Sequence, residues 1–144
     1  MGRHELREQV FRLLFRAEFY SGQEMEEQKR LFTEDIPAED TGHVMSGRNG
    51  AYITERCGRI LEKLSELDRI INDNTEGWDT SRMGRVELEV LRLGAYEILF
   101  DEDIPGSVAI DEAVAIAKQY GSDTSGGFVN AILAKILKSG ESNS

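Results

Sequence analysis

The chain has 144 residues, a length typical of one domain, and its two prolines are few enough for a largely helical protein. It carries 27 Asp and Glu against 17 Lys and Arg, and the formal net charge of −10 argues against a protein that binds nucleic acid over a broad basic surface. Because the sequence lacks a run of 18 apolar residues and a basic segment followed by an apolar stretch, we predict neither a membrane span nor a secretion signal and expect a cytoplasmic protein.

Apolar residues recur at helical spacing in the first half of the chain, and no long alternation typical of strands occurs. The first predicted helix covers residues 4–20, and a second, shorter one covers 23–32. Residues 33–50 are polar and contain Pro37 and three glycines, so we predict a connection there. The clearest helical pattern follows and ends near Asn74. Its apolar positions alternate between spacings of four and three, as in a helix packed in a bundle: Ile53, Cys57, Ile60, Leu64, Leu67 and Ile71.

The second half of the chain predicts three more helices. Thr80 or Ser81 is a candidate cap for a helix that runs to Phe100. Because that helix is apolar on nearly all sides, we predict that it lies at the centre of the fold. Two further helices follow at residues 108–120 and 125–138.

These elements define the expected architecture. The predicted fold class is all-α, a compact single-domain bundle of six or seven helices. It occupies residues 1–138, and residues 139–144 form a polar C-terminal tail. The one cysteine, Cys57, cannot form an internal disulfide, and its place in an apolar pattern indicates a core residue rather than a reactive thiol.

The negative charge is unevenly distributed along the chain. Residues 21–43 hold seven acidic and two basic residues, whereas residues 1–16 hold four arginines and two glutamates. Arg3 and Arg7 are one helical turn apart, with His4 beside them, and we place neither arginine on the core stripe. Guanidinium groups suit phosphates and bases, so this basic end predicts local, salt-dependent RNA binding. The alternative is a solvated helix face.

Phenylalanines recur at every fourth position of the first predicted helix and form a second stripe beside its core stripe. These residues are Phe11, Phe15 and Phe19. One interpretation is that the helix packs against two neighbours. The other is that one ring, with Phe15 as the candidate, lies at the edge of a surface on which RNA bases stack.

Glycines and small polar residues surround the start of the last predicted helix. Gly121 is placed to end the preceding helix, and Ser122 to Ser125 are four capping candidates for the next one. That helix then opens with Gly126 and Gly127, which cost about 1 kcal/mol each relative to Ala inside a helix. Such glycines leave backbone N–H groups open to an anion; the alternative is a joint without a ligand.

Three stretches of the sequence together carry a family resemblance. The most specific comprises Ile104-Pro105, Val108-Ala109-Ile110-Asp111-Glu112-Ala113, Ala117-Lys118, Gly121, Ser125 and Phe128-Val129-Asn130. The others are Leu91-Arg92-Leu93 with Tyr96-Glu97, and Arg3-His4-Glu5-Leu6-Arg7-Glu8. In these residues the chain resembles NusB-type transcription antitermination factors, and the resemblance covers about residues 3–138.

The resemblance implies two RNA-contacting regions. Carried over position by position, the first contains Arg3, His4 and Arg7, and the second contains Ser125, Phe128 and Asn130. The chain departs from the family pattern in both regions: Glu5 stands where a basic residue is usual, and Gly126 and Gly127 replace residues that are commonly polar or basic. These departures lower the expected RNA affinity. Phe128 either stacks on a base or begins the core of its helix.

The resemblance also implies a protein partner. Glu87, and with it Arg92, lies in the region where NusB-like proteins meet NusE, a protein of the small ribosomal subunit; alternatively, Glu87 is a charge near a helix N-terminus. An acidic body would attract a basic ribosomal protein. The implied function is non-catalytic: the protein binds boxA-type single-stranded RNA together with NusE and joins the RNA polymerase antitermination complex, which reads through terminators, notably in rRNA operons.

The sequence gives little support to an enzyme. His4 and His43 lack metal-ligand spacing with Cys57 or a carboxylate, and no phosphate-binding glycine loop or nucleophile motif occurs, so we expect no metal, cofactor or small-molecule substrate. Two alternatives stay open. One is a NusB-fold protein-interaction adaptor with lost or weak RNA binding, favoured by Glu5 and the paired glycines. The other is a separated N-terminal domain of an rRNA methyltransferase, in which this fold also occurs.

Overall fold

The computed structural model describes residues 2–17, 47–77 and 79–142, and every regular element in these ranges is an α-helix, which confirms the all-α prediction. The chain divides into two compact units, one up to Glu62 and one from Lys63. The described helices are α1 (Arg3–Ala17), α2 (Arg48–Glu62), α3 (Leu64–Asp73), α4 (Arg85–Phe100), α5 (Gly106–Tyr120) and α6 (Ser125–Ser142).

In the first unit, α1 packs against α2. The start of α2 falls inside the region 33–50 that we predicted as a connection, because Gly47 ends that connection early. Gly47 adopts a φ of 74°, a left-handed conformation that favours glycine, and its carbonyl accepts the N–H of Ala51 at 2.9 Å. The helix predicted at 23–32 and the connection up to residue 46 lie outside the described residues. The buried apolar side chains of α1 and α2 are Val10, Phe11, Leu13, Leu14, Ile53, Cys57 and Ile60.

The single helix predicted through Ile53 and Ile71 is in fact two helices. The backbone leaves helical geometry at Lys63, where φ is −107° and ψ is 13°. The Lys63 ammonium lies 4.3 Å from the centroid of the Phe100 ring, a cation–π contact that spacing along the sequence cannot indicate. The apolar pattern itself is confirmed on α3, where Leu67 and Ile71 are fully buried.

Helix α4 lies at the centre of the second unit and contacts α3, α5 and α6. Every residue from Leu88 to Glu97 is buried, so the helix is enclosed on all sides within this unit, as its few charges predicted. Gly94 permits the close approach of its neighbours. A Cβ at this position would lie 2.6 Å from Cδ1 of Leu133 on α6 and 3.4 Å from Cβ of Ala113 on α5. A larger residue would therefore separate the helices of this unit.

The predicted caps of α4 are wrong. Thr80 and Ser81 belong to a turn that ends before the helix begins. The Thr80 N–H donates to Oδ1 of Asn72 at 2.8 Å, and the Ser81 N–H donates to Oδ1 of Asp79 at 2.9 Å. The Ser81 hydroxyl donates to the same carboxylate and lowers the pKa of Asp79. These local hydrogen bonds compete with helix formation, so the two residues stabilise a turn instead of a helix start.

Both C-terminal helices extend beyond their predicted limits. Helix α5 begins at Gly106 because Pro105, with a φ of −58°, is its N-cap. A Cβ at Gly106 would lie 2.5 Å from Cδ1 of Leu137, so the start of α5 packs closely on α6. Helix α6 continues past its predicted end at Lys138 to Ser142, so part of the predicted polar tail is helical. Among the described helices, none combines the length and the apolar character needed to cross a bilayer.

Candidate RNA interface

The basic side chains at the start of α1 differ in their exposure to solvent. Arg3 is exposed and His4 is half-buried, whereas Arg7 is only 5% exposed. The expectation that neither arginine lies on the core side is therefore wrong for Arg7. At 100° per residue, Arg7 shares a face with Phe11 and Leu14, four and seven positions later, and this register is visible in the sequence. Of the two arginines, only Arg3 is exposed enough for an RNA phosphate to reach its guanidinium group directly.

Two aromatic rings of α1 differ in burial. Phe11 is a buried core residue, and Phe15 is half-buried with its ring centroid 6.0 Å from that of Phe11 at an interplanar angle of 54°. Phe11 therefore packs in the interior, and the packing of this helix against two neighbours stays a prediction. Phe15 keeps exposed ring surface, so its place at the edge of a base-stacking surface stays a prediction. Phe19 lies outside the described residues.

A buried serine holds the loop before α6. Ser125 is 1% exposed, and its Oγ accepts the N–H of Ser122 at 2.9 Å and donates to Oε1 of Glu87 at 2.6 Å. A Cβ at Gly121 would collide with this oxygen, so the arrangement requires the glycine that ends α5. The Ser125 hydroxyl is enclosed and already hydrogen-bonded within the protein, so it positions this loop, and the direct RNA contact predicted for Ser125 stays a prediction.

The same hydrogen bond determines the surroundings of Glu87. Glu87 is half-buried in the first turn of α4 and is joined to Ser125, 38 positions later in the chain. The sequence assigned these two residues to different partners, one to a protein and one to RNA. Their contact means that the start of α4 fixes the start of α6.

The first two turns of α6 present three residues toward the surface. Gly127 and Asn130 are exposed, and Phe128 is half-buried. Val129 is fully buried, so the core residue of these turns is Val129 rather than Phe128. A Cβ at Gly127 would meet nothing within 4 Å. The two turns therefore offer an aromatic ring, an amide and open space next to a fixed loop.

Arg92 belongs to a buried ion-pair cluster between α3 and α4. It is 9% exposed, and its Nε and Nη2 each donate to a carboxylate oxygen of Asp68 at 2.8 Å. Its Nη1 donates to the carboxylate of Glu89 at 3.0 and 3.1 Å. Burial lowers the pKa of Arg92, but hydrogen bonds to Asp68 and the charge of Glu89 outweigh this effect and raise the pKa. These contacts give Arg92 a structural role in joining α3 to α4, and the partner-binding role predicted for it stays a prediction.

Within residues 2–17, 47–77 and 79–142, no three His, Cys, Asp or Glu side chains come together in a group that could hold a metal ion. The lone cysteine, Cys57, is buried, as predicted for a core residue.

Sequence comparison gives close relatives over nearly the whole chain. The pattern of the NusB family matches residues 4–138. The transcription antitermination protein NusB of Agathobacter rectalis is 45% identical over 135 residues, which cover 94% of this chain and 98% of the relative. The protein of the same name from Lachnoclostridium phytofermentans is 42% identical over 137 residues, which cover 95% of this chain and 99% of the relative.

Solved structures have the same fold. T. maritima NusB is 36% identical and superposes with a TM-score of 0.80 over 96% of this chain and 92% of that chain. A crystal structure of the antitermination factors NusB and NusE with double-stranded RNA contains a chain that is 24% identical. That chain superposes with a TM-score of 0.74 over 96% of this chain and 99% of its own length, a likeness of fold. From the matched family pattern and the identity to these relatives, we conclude that this chain belongs to the NusB family.

Proposed function

We propose that this chain is a non-catalytic transcription antitermination factor that binds boxA-type single-stranded RNA together with the ribosomal protein NusE. Its family membership and the relatives named for transcription antitermination support this function. A fold relative in complex with NusE and double-stranded RNA supports both partners. In this role the protein acts in the cytoplasm, within the RNA polymerase antitermination complex on the nascent transcript, and promotes read-through, notably of rRNA operons.

The start of α6 is the observation that best supports RNA binding by the chain itself. Phe128 is half-buried and Asn130 is exposed, and the helix start that carries them is held by buried Ser125. Unpaired bases are recognised by stacking on aromatic rings and by hydrogen bonds to their edges. A ring and an amide on a helix start held by internal hydrogen bonds suit this kind of recognition, because little order has to be gained on binding.

The start of α1 is the second proposed RNA region. Exposed Arg3 contacts a phosphate, with half-buried His4 beside it, and Phe15 adds ring surface further along the helix. Arg7 is a weaker candidate for a phosphate contact than Arg3, because its side chain is buried. With a net charge of −10, the isolated protein therefore binds RNA weakly at physiological salt.

NusE compensates for this weak RNA binding. A basic ribosomal protein adds cations and contacts on a shared RNA, and the acidic charge of the chain speeds its encounter with such a partner. Glu87 is our candidate contact on α4, since part of its side chain is exposed. Membranes and small-molecule substrates have no part in this mechanism.

A comparison of the affinities for two RNAs tests the proposal. Labelled boxA-type RNA and a scrambled RNA of the same composition are titrated with the full chain in the presence of saturating NusE, and binding is followed by fluorescence anisotropy. We expect tighter binding of the boxA-type RNA. If NusE binds but neither RNA does, the chain is a protein-interaction adaptor; if neither NusE nor RNA binds, both partners are wrong.

A further inference from the structure

The side chain of Lys118 crosses from α5 to the first turn of α6. A Cβ built on Gly126 would lie 2.9 Å from both Cγ and Cε of Lys118 and 3.4 Å from Cγ1 of Val114. The methylene chain of Lys118 therefore occupies the space that a side chain at position 126 would take. Gly126 is buried and Lys118 is exposed, so the stem packs on the glycine while the ammonium reaches solvent.

This packing places the Lys118 ammonium at the proposed RNA region of α6. Nζ is one bond beyond Cε, so it is held close to Gly126, one residue after Ser125 and two before Phe128. The first turns of α6 contain no lysine or arginine of their own before Lys135. Lys118 thus brings a positive charge to a part of α6 that has none.

Lys118 has no ion-pair partner among the described residues. The residues one helical turn before it are Val114 and Ala115, and those one turn after it are Gly121 and Ser122, so no carboxylate lies at helical pairing distance. None of the ion pairs within the described ranges includes Lys118. A cation without an ion-pair partner, on a stem fixed by packing, loses little freedom when it binds an anion.

We propose that Lys118 contacts a phosphate of the bound RNA and is an RNA-binding residue supplied by α5 to the α6 region. This inference rests on the proposed function. The contact depends on Gly126, because a side chain there would displace the lysine stem. Since a phosphate carries no base identity, Lys118 strengthens binding of every single-stranded RNA sequence and leaves the choice of sequence to other residues.

Lys118 also has an ordinary structural explanation, which the test must separate from RNA binding. It lies in the last turn of α5, where a cation complements the helix dipole. That role predicts a lower melting temperature when the charge is removed and no effect on the salt dependence of RNA binding. A phosphate contact predicts a change in that salt dependence.

The test compares two charge-removing variants of the full chain. Lys118→Gln keeps most of the stem and removes the charge, and Lys135→Gln makes the same change nine residues beyond Gly126, ~13 Å along α6. Affinity for boxA-type and scrambled single-stranded RNA is measured with saturating NusE at about 50 to 200 mM salt. For Lys118→Gln, the slope of log affinity against log salt should fall in magnitude by ~0.7 for both RNAs. Lys135→Gln should retain the wild-type slope.

A second variant tests the dependence on glycine. Gly126→Ala places a methyl group where the lysine stem lies, so it should lower the slope in the wild-type background and change it no further in the Lys118→Gln background. The proposal is overturned, with the function intact, if wild-type protein binds RNA and Lys118→Gln keeps its slope, or if Lys135→Gln lowers the slope equally. If wild-type protein binds neither RNA in the presence of NusE, the proposed function fails and this inference with it.

Discussion

Arg3 and Arg7 lie one turn apart on α1 but in opposite environments, one exposed and the other buried. An exposed arginine can meet a phosphate without any change in the protein. A buried arginine stabilises the fold through its stem and its internal partners. The two positions should therefore respond differently to the same substitution.

Arg3→Ala should weaken all RNAs similarly and lower the magnitude of the salt slope by up to ~0.7, with little change in stability. Arg7→Ala should instead lower the free energy of unfolding by about 0.5–3 kcal/mol, because it removes a buried side chain. Salt-dependent RNA titration and denaturant unfolding measure the two effects. A loss of salt slope in Arg7→Ala without a loss of stability would show that Arg7, despite its burial, contacts a phosphate.

Phe128 combines partial burial with exposed ring surface. If its ring stacks on a base, Phe128→Ala should lose ~1–3 kcal/mol of RNA binding free energy. Its loss of stability should stay below the ~3–5 kcal/mol typical of a fully buried phenylalanine. Val129→Ala is the matched control: it truncates a buried neighbour, so it should lower the melting temperature and leave the RNA affinity of the folded protein unchanged. Normal RNA binding by Phe128→Ala would exclude stacking.

Helix α4 connects the structural core to the proposed functional surface. Its first turn contacts the start of α6 through Glu87 and Ser125, and its middle contacts α3 through Arg92 and Asp68. The α6 contact orients the proposed RNA-binding start of that helix. The α3 contact is a buried ion pair, which contributes through the cost of leaving a charge unpaired.

Removing the Arg92 guanidinium should therefore be costly. Arg92→Ala leaves Asp68 and Glu89 without their cation and should lower the free energy of unfolding by about 3–5 kcal/mol. Arg59→Ala is the control, because it breaks the exposed ion pair with Glu55 and should cost no more than ~1 kcal/mol. Denaturant unfolding compares the two. If Arg92→Ala keeps full stability and loses NusE binding, Arg92 has the predicted partner-binding role instead of a structural one.

At the scale of elements, the sequence predicted those features of the helices that depend on the local spacing of apolar and charged residues. The buried stretch of α4 was visible as a helix with few charges. The spacing of Glu89 and Arg92 is a local signal from which their ion pair could have been found, although the sequence analysis assigned Arg92 to a partner. The break at Lys63 was not visible in the apolar spacing, which continues through it, and the cation–π contact of Lys63 with Phe100 joins positions that are distant in sequence. Two other contacts also join positions that are far apart in sequence. Ser125 bonds to Glu87, and Arg92 bonds to Asp68. The sequence does not show these contacts, so Ser125 was assigned to RNA and Arg92 to a protein partner.

At the scale of the whole molecule, the net charge of −10 sets the expected behaviour. Long-range repulsion from an acidic body opposes RNA, and a few local cations supply the attraction, so RNA binding by the chain alone should be weak and salt-dependent. The same acidity favours a basic protein partner. These two consequences of one charge distribution are the physical reason to expect joint recognition of RNA and NusE.

The coupling between RNA and NusE tests this account most directly. The affinity for boxA-type RNA is measured with and without NusE, and the affinity for NusE is measured with and without the RNA. We expect a coupling of ~1–3 kcal/mol, which is about a five- to 150-fold gain in RNA affinity when NusE is bound. Thermodynamic linkage then requires the RNA to raise the affinity for NusE by the same factor. If NusE binds tightly but RNA affinity stays negligible in its presence, joint recognition is contradicted and the chain is an adaptor.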